Sequence, residues 1–96
     1  QGLRDALQKK AFLVDVRTPG EFASGSVPGA VNIPLGRVEQ SLDQFKGKGP
    51  VVVFCRSGMR SSQAKDILVR NGYKDVVNGG SWENVRDAKK SLATKK

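Results

Sequence analysis

Short apolar runs separated by helix-like segments are the feature that most constrains the fold of this chain. AFLVDV at 11–16 and VVVFC at 51–55 are rich in valine and phenylalanine. Shorter runs of the same kind are AVNIP at 30–34 and KDVVN at 74–78. Continuous runs of this length and composition are typical of strands that are buried on both faces of a sheet. The sequence therefore predicts four strands of a mainly parallel sheet.

Helix-like segments lie between these runs. They cover residues 2–10, 19–25, 34–45, 60–72 and 81–93. Pro19 and Pro34 suit the first turn of a helix, and Gly72 suits the end of one. Gly79 and Gly80 are expected to form a tight turn before the last helix. Strands that alternate with helices predict an α/β domain with a mainly parallel sheet, flanked by helices and joined by right-handed crossovers.

The chain of 96 residues is predicted to be one domain, residues 1–96, with a basic tail from about residue 86. Its hydrophobic content of 38% and charged content of 27% are typical of a globular protein. No apolar stretch approaches the roughly 20 residues that span a bilayer, so no membrane partner is expected. The chain begins at Gln1 and shows no signal-peptide core. We expect a cytoplasmic location, or a periplasmic one if a signal peptide has been removed.

The net charge of +8 admits three interpretations: nucleic-acid binding, attraction of small anions, or ordinary solubility. Aromatic residues are scattered and do not interleave with the basic ones, which argues against a nucleic-acid partner. Much of the lysine lies near the C-terminus, where a charged tail is usually solvated. These lysines are Lys89, Lys90, Lys95 and Lys96. We therefore expect no nucleic-acid partner.

The chain contains one cysteine, Cys55, and no histidine. An internal disulfide is excluded, and so are the Ser-His-Asp and Cys-His mechanisms. A zinc site with a single cysteine and no histidine is implausible, so neither a metal nor another cofactor is predicted. If Cys55 reacts, a group other than imidazole must stabilise its thiolate.

Cys55 ends the VVVFC run, and ligands of open parallel sheets bind outside the carboxyl ends of the strands. The next helix is expected to begin near Arg60 and Ser61, so backbone N–H groups and the helix N-terminus would converge on one point. Such a cradle binds an anion and lowers the pKa of a thiol held in it, and Arg56 and Arg60 would add to this effect. The alternative is a cysteine that only packs, as most buried cysteines do.

The residues after Cys55 favour a nucleophile over a packing cysteine. Gly58 suits a backbone conformation that residues with a side chain rarely adopt. The hydroxyls of Ser57 and Ser61 can donate hydrogen bonds to the sulfur or to a group bound to it. The predicted catalytic residue is Cys55. The predicted substrate-binding residues are Arg56, Ser57, Gly58, Met59, Arg60 and Ser61. The alternative is that the two arginines are ordinary solvated surface charges, which suits Arg60 less well than Arg56.

CRSGMRS after VVVF resembles the active-site loop of the rhodanese (thiosulfate sulfurtransferase) family in its single-domain form. LVDVRTPGEFASG, GSVPGAVNIP and VVNGGSWENV resemble further signatures of that family in the same order, over most of residues 11–85. The chain departs from the family at Ser26, where many relatives carry a histidine that is not the nucleophile. Trp82 also lies fewer residues after the two glycines than the tryptophan does in most members of the family.

The resemblance implies a rhodanese-like fold and sulfane-sulfur transfer without a cofactor. The Cys55 thiolate would take the outer sulfur of thiosulfate, or of another donor, and become a persulfide. Cyanide, a small thiol such as glutathione, a thioredoxin-like protein or a sulfur-carrier protein would accept the sulfur. Backbone N–H groups of residues 56–60 would stabilise the persulfide, and Arg60, together with Arg56, would bind the sulfonate of the donor.

The resemblance also includes Asp15 and Arg17, but an ion pair after a strand often serves only to hold loops together. We favour this structural role for them. Glu21 is expected on a helix surface, where it could pair with an arginine. Trp82 is expected to pack, although a position near the pocket mouth remains an alternative.

Two other functions remain as alternatives. A phosphatase on the same fold would carry arginine six positions after the cysteine, where this chain has Ser61. This shorter spacing argues against a phosphatase. A non-catalytic docking or regulatory module is the second alternative, although inactive versions usually lack the cysteine that this chain keeps. The physiological donor and acceptor, the oligomeric state and membership of a longer protein do not follow from the sequence.

Overall fold

The computed structural model describes residues 2–94. Strands and helices alternate along these residues, with two 3₁₀ segments between the second and third strands. The α-helices are α1 (Leu3–Gln8), α2 (Pro19–Ala23), α3 (Met59–Arg70) and α4 (Trp82–Thr94). The strands are β1 (Phe12–Asp15), β2 (Val31–Asn32), β3 (Val51–Cys55) and β4 (Val76–Ser81), and the 3₁₀ segments are Leu35–Arg37 and Glu39–Phe45.

The four strands form one parallel sheet in the order β2-β1-β3-β4. Val14 of β1 lies opposite Val31 of β2 and Val53 of β3, and Val51 of β3 lies opposite Val76 of β4. All five residues of β3 are buried, as expected for a central strand of a parallel sheet. The predicted α/β fold with a parallel sheet is therefore confirmed.

Side chains of β3 alternate between two hydrophobic cores, one on each face of the sheet. Val53 and Cys55 belong to the core that contains Leu68 of α3. Val52 and Phe54 belong to the other core, which is formed with α1 and α4. The fold is thus a sheet between two helical layers. It places Cys55 at the carboxyl end of the central strand, on the α3 side.

The helix predicted over residues 34–45 is wrong, because the structure has two 3₁₀ segments there. Ser41 interrupts the second segment with φ −117° and ψ 21°. Gly36 and Ser41 are poor helix formers. The Tyr73 hydroxyl also donates to the Leu42 carbonyl at 2.9 Å, which gives that carbonyl a partner outside the helix. The hydrophobic spacing reflects burial, since Phe45 is 1% exposed.

The tight turn predicted at Gly79 and Gly80 is also wrong, because both residues lie within β4. A Cβ on Gly79 would lie 2.5 Å from Cγ2 of Val85, so close packing against α4 requires glycine there. Gly80 has a φ of 80°, which favours glycine. The register with β3 shifts at this point, as at a β-bulge, since Val53 pairs with Asn78 but Cys55 pairs with Ser81.

The residues predicted as a basic tail from about 86 form part of α4 as far as Thr94. Lys89 of this helix donates its Nζ to the Pro28 carbonyl at 2.8 Å. Lys95 and Lys96 of the predicted tail lie outside the described residues. Between residues 2 and 94, no helix combines the length and the apolar character needed to cross a membrane.

Candidate active site

Cys55 is the last residue of β3 and is fully buried. Residues 56–58 connect it to α3, which begins at Met59, slightly earlier than predicted. Gly58 caps the helix in the left-handed conformation, with a φ of 97°. A Cβ on Gly58 would lie 3.4 Å from the Gly80 Cα, so the loop packs directly on the β4 backbone. This contact holds the loop over the sulfur.

The loop surrounds the sulfur of Cys55 with hydrogen-bond donors. The backbone N–H of Gly58 donates to Sγ at 3.0 Å, and the Ser61 hydroxyl lies 3.6 Å from Sγ. Burial raises the pKa of the Cys55 thiol, but hydrogen bonds from the Ser61 hydroxyl and from the N–H groups of Ser61, Ser57 and Gly58 outweigh it. The pKa of Cys55 is therefore lowered, and the thiolate is stabilised without an imidazole.

Arg60 forms an ion pair with Glu21, a residue 39 positions earlier in the chain. Its two terminal nitrogens donate to the Glu21 carboxylate at 2.8 and 3.1 Å. Glu21 is also part of a capping box with Thr18. Hydrogen bonds from Arg60 and Thr18 lower the pKa of Glu21 from its usual 4.5 to about 2. The guanidinium of Arg60 is thus already bound to a carboxylate.

Arg56, Ser57 and Met59 are the exposed members of the loop. Met59 is 73% exposed although it belongs to the first turn of α3. The side chain of Arg56 makes no hydrogen bond or ion pair with any other residue of the described part of the chain. Arg56 is therefore the arginine of the loop whose guanidinium is unoccupied.

The profile of the rhodanese-like domain family matches residues 1–88. The chain belongs to the rhodanese-like domain family. The thiosulfate sulfurtransferase PspE of Escherichia coli is 38% identical over 74 residues, which cover 75% of this chain and 71% of PspE. The relatives of the chain support a sulfurtransferase at the level of the family.

Two solved structures are similar to this rhodanese-like domain. A rhodanese with anions from E. coli superposes with a TM-score of 0.72 at 36% identity, covering 77% of this chain and 89% of that chain. The human single-domain sulfurtransferase TSTD1 superposes with a TM-score of 0.70 at 29% identity, covering 98% of this chain and 92% of that chain. Both likenesses agree with the parallel sheet and flanking helices described above.

Asp15 and Arg17 of this rhodanese-like domain form a buried ion pair. Asp15 is 0% exposed and Arg17 is 5% exposed, and the shortest contact, Nη2 to Oδ2, is 2.7 Å. The pKa of Arg17 is raised, mainly by its hydrogen bond to Asp15. Arg17 also donates to the Gly25 carbonyl at 2.6 Å. These contacts join β1 to the segment after α2, as a structural pair would.

The two departures from the family pattern both lie against this ion pair. The Ser26 hydroxyl donates to Oδ2 of Asp15 at 2.7 Å, so the serine adds a hydrogen bond to the buried carboxylate. The guanidinium carbon of Arg17 lies 5.2 Å from the centroid of the Trp82 ring, and that of Arg86 lies 5.1 Å from it. Trp82 therefore packs between two arginines.

Asn78 is a residue of the site that the sequence reasoning missed. Its Oδ1 accepts hydrogen bonds from the Ser61 hydroxyl at 2.7 Å and from the Gly80 N–H at 3.0 Å. Its Nδ2 donates to the Gly58 carbonyl at 3.2 Å. One signal was available: an asparagine directly before Gly-Gly, at the end of the predicted strand run KDVVN.

The predicted site residues do not all contact one point. Gly58 and Ser61 contact the sulfur of Cys55, and Ser57 presents its backbone N–H to it. Arg60 instead contacts Glu21. Among residues 2–94, no group of three or more Cys, Asp or Glu side chains is arranged to hold a metal ion. The arrangement can stabilise a sulfur anion at Cys55 and can present an exposed arginine beside it.

Proposed function

We propose that this rhodanese-like domain transfers a sulfane sulfur from thiosulfate to a thiophilic acceptor through a persulfide on Cys55. The observation that carries this proposal is the buried sulfur of Cys55, which accepts the Gly58 N–H at 3.0 Å. A cysteine whose pKa is lowered by its own loop is a nucleophile that needs no neighbouring histidine.

In the first step, the Cys55 thiolate attacks the outer sulfur of thiosulfate. A bond forms between Sγ and that sulfur, and the sulfur–sulfur bond of thiosulfate breaks. Its electron pair leaves with sulfite, and the terminal sulfur of the persulfide keeps the negative charge that it carried in thiosulfate. The total charge is the same before and after the step, and no oxidant or reductant is consumed.

In the second step, the acceptor attacks the terminal sulfur of the persulfide. Cyanide leaves as thiocyanate, whereas a thiolate acceptor leaves as a persulfide. In both cases the electron pair of the Sγ–S bond returns to Cys55 as a thiolate, so the enzyme is ready for another cycle. Substituted-enzyme (ping-pong) kinetics follow from this sequence of steps. A small thiol or a thioredoxin-like protein is the proposed class of physiological acceptor.

The N–H groups of residues 56–60 are proposed to stabilise the persulfide anion. The first turn of α3 adds its own N–H groups and the positive end of its dipole. Removing one well-placed donor from such a site typically lowers the rate about 100-fold or more. The similar rhodanese structure from E. coli was solved with anions.

Arg56 is proposed as the main ligand of the donor sulfonate. The sequence ranked Arg60 first for this role, but the guanidinium of Arg60 is bound to Glu21. Arg56 is exposed and has no partner among residues 2–94, so it can approach the anion without first breaking an ion pair. Arg60 would contribute its positive charge from a fixed position.

Intact mass spectrometry after incubation with thiosulfate tests the proposal. The wild-type protein should gain the mass of one sulfur atom, and cyanide should remove it. Cys55→Ala should gain nothing, and circular dichroism should show that it is folded. Ser24→Ala, on the exposed end of α2, is the matched control and should gain sulfur as the wild type does. A wild-type protein that gains no sulfur would overturn thiosulfate as the donor.

A phosphatase receives no support from the loop. The position six residues after Cys55 is Ser61, whose hydroxyl donates to Asn78 at 2.7 Å. A phosphatase of this fold would need a guanidinium at that position to bind the phosphoryl group. Hydrolysis of an aryl phosphate by the wild type, absent in Cys55→Ala, would reverse this conclusion.

A further inference from the structure

The Ser61 hydroxyl has one hydrogen and two acceptors within reach. Oδ1 of Asn78 lies 2.7 Å from it, and Sγ of Cys55 lies 3.6 Å from it. A hydroxyl donates one hydrogen and can accept two. The shorter contact therefore takes the hydrogen, and the oxygen is left to accept the S–H of a protonated Cys55. Ser61 is 0% exposed, so water does not offer a third acceptor.

The orientation of the Asn78 amide follows from its other two partners. Gly80 offers an N–H, which can only donate, and lies 3.0 Å from Oδ1. Gly58 offers a carbonyl, which can only accept, and lies 3.2 Å from Nδ2. The oxygen of the amide must therefore point at Ser61. If the hydroxyl turned away, Oδ1 would still have the Gly80 N–H as a partner.

We propose that Asn78 is a positioning residue for Cys55, because it holds the Ser61 hydrogen while the sulfur is protonated and releases it when the sulfur is an anion. The thiolate and the persulfide anion are strong acceptors, and they would then receive the hydroxyl hydrogen as a further donor beside the backbone N–H groups. The part that concerns the persulfide rests on the proposed function. The part that concerns the thiolate does not.

Replacing Asn78 would not change the charged groups around the sulfur of Cys55. Arg56 in the loop and Arg60 on α3 are the positive charges beside Cys55, and Glu21 on α2 is the partner of Arg60. Asp15 at the end of β1 and Arg17, two residues later, neutralise each other in their buried pair. The residues of β4 carry no ionisable side chain. A change at Asn78 therefore reaches Cys55 through Ser61 and the loop, with the surrounding charges unchanged.

A double-mutant cycle on the pKa of Cys55 tests the proposal. Cys55 is the only cysteine, so ultraviolet thiolate absorbance and the pH dependence of alkylation both report this one group. Asn78→Ala removes the competing acceptor. It should lower the pKa of Cys55 by about 0.5 to 1 unit, the size expected for one hydrogen bond. In the Ser61→Ala background the same change should shift the pKa by much less.

The cycle separates positioning from simple support of the loop. If Asn78→Ala shifts the pKa equally in the wild-type and Ser61→Ala backgrounds, or in neither of them, the proposal is overturned. Should Asn78→Ala fail to fold, Asn78→Asp replaces it. The added charge raises the pKa in both backgrounds, but the rise should be larger with Ser61 present, because the carboxylate holds its hydrogen more strongly.

Sulfur uptake by the wild type separates this inference from the proposed function. A protein that shows the Ser61-dependent pKa shift but takes no sulfur from thiosulfate would keep the positioning role and lose thiosulfate as the donor. A protein that takes up sulfur but shows no dependence on Ser61 would keep the proposed function and lose the positioning role.

Discussion

Two arginine–carboxylate pairs lie at the carboxyl end of the sheet, and they differ in how much water reaches them. The side chains of Arg17 and Asp15 are 6% and 0% exposed, whereas those of Arg60 and Glu21 are 34% and 31% exposed. The buried pair has additional partners in Gly25 and Ser26. Similar ion pairs can therefore have different roles. The first holds β1 to the segment after α2, and the second fixes the position of the Arg60 charge on α3.

Breaking the buried pair should give the largest effect on stability. Arg17→Ala leaves the Asp15 carboxylate buried without its cation, and such changes cost about 3–5 kcal/mol in the free energy of unfolding. Urea unfolding measures this cost. Arg86→Ala is the matched control, because Arg86 also stacks on Trp82 but is partly exposed, and it should cost less than about 1 kcal/mol.

Sulfur uptake by Arg17→Ala tests whether the buried pair has a role besides stabilising the fold. At a temperature where Arg17→Ala is folded, its uptake of sulfur per folded molecule should match that of the wild type. Loss of uptake in a demonstrably folded Arg17→Ala protein would contradict a purely structural role for the buried pair.

The loop arginines should differ in their effect on donor binding. Arg56→Ala removes the unoccupied guanidinium and should raise KM for thiosulfate about tenfold, the value of one charge-assisted contact. Arg60→Ala should raise KM by a smaller factor, because its guanidinium is already bound to Glu21. Steady-state kinetics at constant ionic strength measure both. A larger effect for Arg60 would restore the ranking that the sequence suggested.

The exposed pair should show the smallest effect, and only over an acidic range of pH. The pKa of Glu21 is lowered from 4.5 to about 2, so its stabilising contribution is fully present above pH 4.5 and is lost as pH falls toward 2. The melting temperature of the wild type should exceed that of Glu21→Gln above pH 4.5, and the two should converge near pH 2. A difference that does not depend on pH would contradict the ion pair as its cause.

Local sequence signals predicted the two central strands, β1 and β3, well. VVVFC forms β3 with the predicted bounds, and within AFLVDV the residues from Phe12 to Asp15 form β1. A continuous run of valine and phenylalanine has few alternatives to a buried strand. The position of Cys55 at the carboxyl end of a strand followed from that prediction alone.

Two local predictions failed because packing overrode them. Residues 34–45 have a helical hydrophobic spacing, yet they form 3₁₀ segments that bury Val38 and Phe45 around a kink at Ser41. Gly-Gly is a common turn signal, yet Gly79 lies in a strand, at a position where Val85 leaves no room for a Cβ. Neither outcome can be read from neighbouring residues.

The sequence by itself determined the alternation of strands and helices, the parallel sheet and the loop that follows Cys55, because hydrophobic periodicity and glycine chemistry act over a few residues. Only the tertiary structure decided that Arg60 meets Glu21, 39 residues away, and that Asn78 meets Ser61, 17 residues away. Such contacts depend on how crossovers and a β-bulge bring distant segments together. The loop residues were therefore predictable, whereas the partners that set their charge and hydrogen bonding were not.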